Sequence, residues 1–277
     1  MLIFEIIKVI ALGIVEGVTE WLPISSTGHL ILLDELISLR VSEDFMSVFT
    51  VVIQLGAILA VAVLFFDRLN PISSRKGRAE RSATLSLWGK VFVGSVPAAL
   101  LGLLLDDLIE RYLFSYTVVA FTLIVYGIAF IFVEKIKAEK NNDGKDLDSI
   151  TYTDAIKIGL FQSLSLIPGT SRSGSTILGG MLIGVSRRAS AEFSFFMAIP
   201  IMLGASALKI LKFVFSGFTA TAEELLLLLV GIVVSFIVSL IVIRFLMDYV
   251  RRRSLEIFGY YRIILGMAVL IYFFLKQ

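Results

Sequence analysis

Two carboxylates four residues apart, Glu16 and Glu20, lead into Trp21-Leu22-Pro23, then a hydroxyl cluster, Ser25-Ser26-Thr27, then His29, the one histidine among 277 residues. On a helix the two glutamates share a face and repel each other, so something positive should compensate them. A divalent cation, Mg2+ or Ca2+, is one candidate, because carboxylate oxygens hold both, commonly together with substrate phosphates; Arg172 is another. Ser26 needs an adjacent base to act as a nucleophile. His29 stands about one helical turn further on, and its ordinary pKa near neutrality suits proton transfer or attack.

A second polar stretch, Pro168-Gly169-Thr170-Ser171-Arg172-Ser173-Gly174-Ser175-Thr176, offers complementary groups. Its glycines permit close backbone approach, its hydroxyls can donate hydrogen bonds, and Arg172 presents a planar fork matched to phosphate. Pro23 and Pro168 each interrupt a helix. Ser25, Ser26 and Thr27 are residue types that cap the next helix, here expected over His29–Leu39. A helix start of this kind binds anions through its free N–H groups. Nucleophile, acid/base, cation and phosphate clamp are the parts that phosphoryl transfer uses.

The elements that must hold these stretches are membrane helices. The chain is 57% hydrophobic with mean hydropathy +0.93, well above a soluble domain. Apolar runs long enough to cross a bilayer are clearest at Met46–Phe66, Tyr112–Val133 and Leu225–Ile243. Val91–Leu105, Phe193–Leu208 and Ile257–Leu275 are weaker, being short or interrupted by Pro97, Pro200 or Arg262. The expectation is an all-α integral membrane protein of six spans in a single membrane domain, residues 1–277. The N-terminus lacks the basic region and cleavage site of a signal peptide. There are no cysteines, hence no disulfides. A net charge of +2 argues against nucleic acid.

Lysine and arginine in short loops mark the cytoplasmic side. They collect in residues 67–90, 134–157 and 244–256, which places Met46 outside. Segments 1–40 and 154–187 then each begin and end on one face, as re-entrant hairpins entering from opposite sides. They also resemble each other: GIVEGVTEWLPISSTG from Gly13 parallels GLFQSLSLIPGTSRSG from Gly159, and the match continues to Gln54-Leu-Gly-Ala57 and Met202-Leu-Gly-Ala205. Two such halves, about 1–135 and 154–277, form an inverted-topology repeat whose binding site lies where the interrupted helices meet.

The (E/Q)xxxE pattern at Glu16–Glu20, the Ser-Ser-Thr-Gly-His after it, and Pro-Gly-x-Ser-Arg-Ser-x-x-Thr at 168–176 resemble the bacterial undecaprenyl-diphosphatase family, also known for bacitracin resistance. The likeness covers essentially the whole chain. It implies an enzyme of the bacterial cytoplasmic membrane that removes the terminal phosphate of a polyprenyl diphosphate lipid, so that the carrier of cell-wall synthesis is reused. It further implies a site on the outer side and support by Mg2+ or Ca2+. Glu16 and Glu20 match the acidic motif, as catalytic residues and metal ligands. Ser26 and His29 match the nucleophile and base, without deciding which attacks. Arg172 matches the essential arginine, with Ser25, Thr27, Gly169, Ser171, Ser173 and Thr176 completing the phosphate site. A transporter or flippase for an anionic polyprenyl-phosphate head group is the competing expectation, though the nucleophile and acid/base are surplus to binding. The partners are the substrate and membrane lipids; a homodimer is left open, because Gly56-x-x-x-Ala60 and Gly204-x-x-x-Leu208 are poor association motifs.

Overall fold

The computed structural model describes residues 2–34, 37–139, 144–217 and 219–276. The helices, in chain order, are α1 (Leu2–Thr19), α2 (Ser26–Asp34), α3 (Glu43–Val52), α4 (Gln54–Leu64), α5 (Phe66–Leu69), α6 (Arg78–Leu113), α7 (Tyr116–Glu139), α8 (Tyr152–Ser163), α9 (Arg172–Leu182), α10 (Arg187–Phe215), α11 (Ala222–Arg252) and α12 (Glu256–Lys276). Among the described residues there is no strand. Six segments have the length and apolar content to cross a membrane: Asp44–Leu64, Arg78–Leu105, Tyr116–Lys137, Arg187–Phe215, Ala222–Arg252 and Glu256–Lys276.

Helix ends differ from the expected spans because hydropathy reads bilayer thickness, whereas caps and propensity set where a helix stops. Helix α6 runs for 36 residues and absorbs the charged stretch before Val91, beginning at a capping box in which the Glu80 carboxylate accepts from the Gly77 N–H. Thr221 caps α11 through a box with Glu224, and Ser186 caps α10. Pro97 and Pro200 lie inside α6 and α10, where bundle packing tolerates them. The first span is instead divided at Ile53, a residue still in helical conformation.

Residues 189–199 of α10 are buried without interruption, so this half-helix is surrounded on every side. Around it the short helices pack reciprocally: α1 lies against α11, and α8 against α6. The approaches are close enough to need glycine. A Cβ on Gly159 of α8 would lie 2.0 Å from the Gly94 carbonyl oxygen of α6. Gly56 is likewise pressed on the backbone of α11 within the chain.

Candidate functional site at the meeting of two helix tips

Helix α1 stops at Thr19, and Glu20 falls in the following turn, where its N–H still bonds the Glu16 carbonyl at 3.0 Å. Pro23 blocks continuation. The chain then reverses through Ser25, whose φ is 73°, and α2 begins at Ser26, three residues earlier than expected. The Ser25 hydroxyl caps it by accepting from the Gly28 N–H at 3.3 Å.

The second tip repeats this geometry. Helix α8 gives way to a 3₁₀ turn, Leu164–Leu166, then Pro168 and Gly169, whose φ is 87°. Ser171 has φ 74° and accepts from the Gly174 N–H at 3.1 Å as α9 begins. A left-handed serine carries a strain of about 1 kcal/mol or more, so both turns are held by their surroundings.

The two tips touch. The Ser173 hydroxyl donates to the Glu20 carbonyl at 3.0 Å. Arg172 Nε donates to Glu20 Oε1 at 3.1 Å, and Nη2 lies 3.1 Å from the same oxygen without making a hydrogen bond. Arg172 Nη1 donates to the Ser194 carbonyl at 2.9 Å, and its Cζ lies 5.6 Å from the Trp21 ring centroid. Thr176 and Ser194 share a hydrogen bond of 2.6 Å beneath it. Glu20 faces Ser26 with its other oxygen, 3.5 Å from Oγ. A line Ser26, Glu20, Arg172 therefore crosses the junction, with both charged side chains nearly buried.

His29 does not join that line. Its Nδ1 lies 2.7 Å from the Ser25 carbonyl oxygen, which can only accept, so this nitrogen carries the proton. In the neutral ring Nε2 then accepts from the Tyr261 hydroxyl at 2.6 Å, and the two rings stack. The expected pairing of His29 with Ser26 is absent, because the left-handed turn at Ser25 presents its carbonyl to the imidazole first. Gly169 and Ser171 shape the second turn; the Thr27 side chain lies outside the described residues.

Glu16 is fully buried, and neither carboxylate oxygen has a hydrogen-bond partner. Such a group needs a counter-charge or a ligand. Among the described residues no cluster of three or more metal-ligating side chains exists. Carboxylate oxygens such as those of Glu16 and Glu20 are nevertheless the donor type that a hard divalent ion takes.

Three contributors lie outside the two polar stretches: Ser194, Tyr261 and Arg262. Arg262 is fully buried and donates to the Pro23, Gly169 and Thr170 carbonyls. It alone carries a signal in the sequence, a charge inside an apolar span.

The family model for the bacitracin resistance protein BacA matches residues 9–268. Undecaprenyl-diphosphatase 1 of Clostridioides difficile (strain 630) is 55% identical over 273 residues, covering 99% of this chain and 98% of the relative. The undecaprenyl-diphosphatase of Enterococcus faecalis (strain ATCC 700802 / V583) is 52% identical over 275 residues, with 99% of each chain covered. That of Streptococcus mutans serotype c (strain ATCC 700610 / UA159) is 54% identical over 277 residues, covering 100% of this chain and 99% of the relative. Two helix tips joined through Glu20 and Arg172, and a likeness that runs the length of the chain, lead to one conclusion: this protein belongs to the BacA bacitracin-resistance family.

Proposed function

We propose that this chain hydrolyses undecaprenyl diphosphate to undecaprenyl phosphate and inorganic phosphate, returning the lipid carrier to peptidoglycan synthesis and conferring bacitracin resistance. The observation that carries the reading is the line from Ser26 through Glu20 to Arg172 across the two tips. A binding protein has no use for a hydroxyl aimed at a carboxylate beside an anion clamp.

Arg172 and the first turns of α2 and α9 receive the terminal phosphate, the arginine through Nη2 and the helix starts through their N–H groups. Ser26 Oγ attacks the phosphorus as its proton passes to Glu20. The bond from phosphorus to the bridging oxygen breaks, and undecaprenyl phosphate leaves with that oxygen. Water then attacks the phosphoserine while Glu20 returns the proton to Oγ, which frees inorganic phosphate. Glu16, with Glu20 beside it, would hold a divalent cation, Mg2+ or Ca2+, that neutralises diphosphate oxygens. His29 braces the start of α2 through the Ser25 carbonyl rather than acting on Ser26.

The site faces the outer side of the bacterial cytoplasmic membrane in this proposal. Its support is the concentration of lysine and arginine at the opposite ends of the spans. Pairs α1/α2 and α8/α9 are re-entrant hairpins of an inverted repeat, a reading supported by the matched serine turns and the reciprocal packing of α1 and α8.

Phosphate release by purified protein in detergent tests this function, with wild type beside Arg172→Ala, each in Mg2+ or in chelator. Metal-dependent turnover is expected, falling by about 1,000-fold in the variant, the scale for losing a donor that stabilises transition-state charge. Folded wild type that binds the lipid yet releases no phosphate under either condition would sink the enzyme reading in favour of transport.

A further inference from the structure

Arg262 stands in the second turn of α12, a candidate span that is apolar between its charged ends, and is fully buried. It makes no ion pair among the described residues. A buried charge without a carboxylate is costly, so its carbonyl contacts must supply what holds it. Nη1 donates to the Pro23 carbonyl at 3.2 Å. Nη2 donates to the Gly169 and Thr170 carbonyls at 2.9 and 3.0 Å. The Tyr126 ring lies under the guanidinium, 5.5 Å from Cζ to centroid. The first turn of α9 closes over it so tightly that a Cβ on Gly174 would be 3.3 Å from Nη1.

The three carbonyls are not scattered. Pro23 stands two residues before the left-handed Ser25, and Gly169 and Thr170 stand directly before the left-handed Ser171. One rigid five-donor group thus grips both turns at the residues that aim Ser26 and Arg172. A loop held by lipid or water would not fix that separation, whereas a planar fork does.

We propose that Arg262 is the positioning residue of the site: it sets the separation and orientation of the two tips, and so where the Ser26 hydroxyl and the Arg172 guanidinium meet the diphosphate. The inference rests on the phosphatase reading for its effect on turnover, though the tip geometry itself can be read without substrate. Arg262 does not touch the reacting atoms.

The test uses full-length Arg262→Gln and Arg262→Lys, checked for folding by thermal unfolding in detergent. Because the chain has no cysteine, Ile14→Cys with Leu164→Cys places one spin label in α1 and one beside the second tip. The pulsed electron–electron distance distribution should be narrow in the otherwise wild-type protein and broadened or displaced in Arg262→Gln. In parallel, kcat should fall by about 100-fold, the usual effect of misplacing reacting groups by about 1 Å, while KM changes little. Arg262→Lys should recover part of kcat, since an ammonium keeps charge and donors but not the fork.

Either readout unchanged in folded Arg262→Gln overturns the proposal, as does a loss of turnover that merely tracks the fraction of folded protein. If neither arginine variant folds, Tyr126→Leu withdraws the supporting ring together with the hydroxyl that bonds Ser175; beside Tyr126→Phe, which loses the hydroxyl alone, it should shift both readouts the same way as Arg262→Gln to a smaller extent, and no shift in either overturns the proposal. Wild type that releases no phosphate would sink the phosphatase reading instead, and the distance measurement would then decide the role of Arg262 alone.

Discussion

Ser25 and Ser171 hold the same place in their tips, with φ of 73° and 74° and each capping a helix through its hydroxyl, yet the helices they cap are seated differently. After Ser171, residues 173–181 of α9 are buried without a break. After Ser25, α2 is only partly covered, and its His29 turns to Tyr261, which is 42% exposed. The preceding helices differ as well: α1 brings Glu16 and Glu20, where the matched positions on the second side are Gln162 and Leu166. Division of labour is the lesson. The second tip is a buried frame that presents one arginine, and the first is a looser arm that brings the carboxylates and the Ser26 hydroxyl to it.

The sharpest way to break that comparison is to exchange chemistry for framing. Glu20→Gln on the first tip should lower kcat by about 100- to 10,000-fold, the range for losing a general base, with folding preserved. Thr176→Val on the second tip, whose hydroxyl meets Ser194 and the Arg172 and Ser173 carbonyls, should reduce kcat far less. Steady-state phosphate release reads both, and equal losses would mean that the tips do not divide the work.

Next in size are the paired glycines. Gly159→Ala drives a methyl to 2.0 Å from the Gly94 carbonyl oxygen, whereas Gly13→Ala meets Val234 Cβ at 3.0 Å and the Gly231 carbonyl at 3.1 Å. The first should destabilise by about 3 kcal/mol and the second by about 1, the span seen for overpacking, as read from thermal unfolding in detergent. The reverse order would make the first arm the more rigid one.

Ser171→Ala should cost more than Ser171→Gly. Both lose a cap worth about 1 kcal/mol, but only alanine keeps the strain of a left-handed turn. The same pair at Ser25 should show a smaller spread, because its surroundings are less closely packed. Thermal unfolding of the four variants reads the difference.

The smallest effect concerns α8, whose start is pinned by a capping box between Thr151 and Asp154, while Lys145 also donates to Asp154. Burial pushes the Asp154 carboxyl up, but the Thr151 N–H, Lys145 and the Thr151 hydroxyl outweigh it and hold its pKa below the ordinary value. Stability from this group is therefore present above the ordinary aspartate pKa and lost as pH falls through the lowered one. Asp154→Asn should remove that acid-side dependence at a cost of about 1 kcal/mol at neutral pH, measured by unfolding across pH.

Much of this was legible in residues 13–29 and 159–176. Apolar runs mark the spans, Pro23 and Pro168 mark the two breaks while Pro97 and Pro200 sit inside continuous helices, and the parallel between the stretches brings Glu20 toward Arg172. Helix ends were less legible, as α6 shows: its charged first turns continue a helix that hydropathy truncates. The missing contact between His29 and Ser26 has a local cause. Three-residue spacing puts Ser26 and His29 on one face of an ideal helix, but nothing in the residue types announces that Ser25 will adopt positive φ and offer its carbonyl. Arg262 was visible only as a flaw in an apolar run, and its three carbonyl partners are set by tertiary packing.

The reciprocal packing of short helices on distant spans also constrains how the protein is made. The Gly17 carbonyl of α1 accepts a hydrogen bond from Ser239 of α11, 222 residues later in the chain. At a synthesis rate of about 5–20 residues per second, α1 waits roughly 10–40 s for the surface it will rest on. For most of that interval Glu16 and Glu20 have neither Arg172 nor α11 beside them, so their burial is completed only after both have been made. Seating here runs against chain order: α1 is made before α11, yet it rests on a surface that only α11 completes.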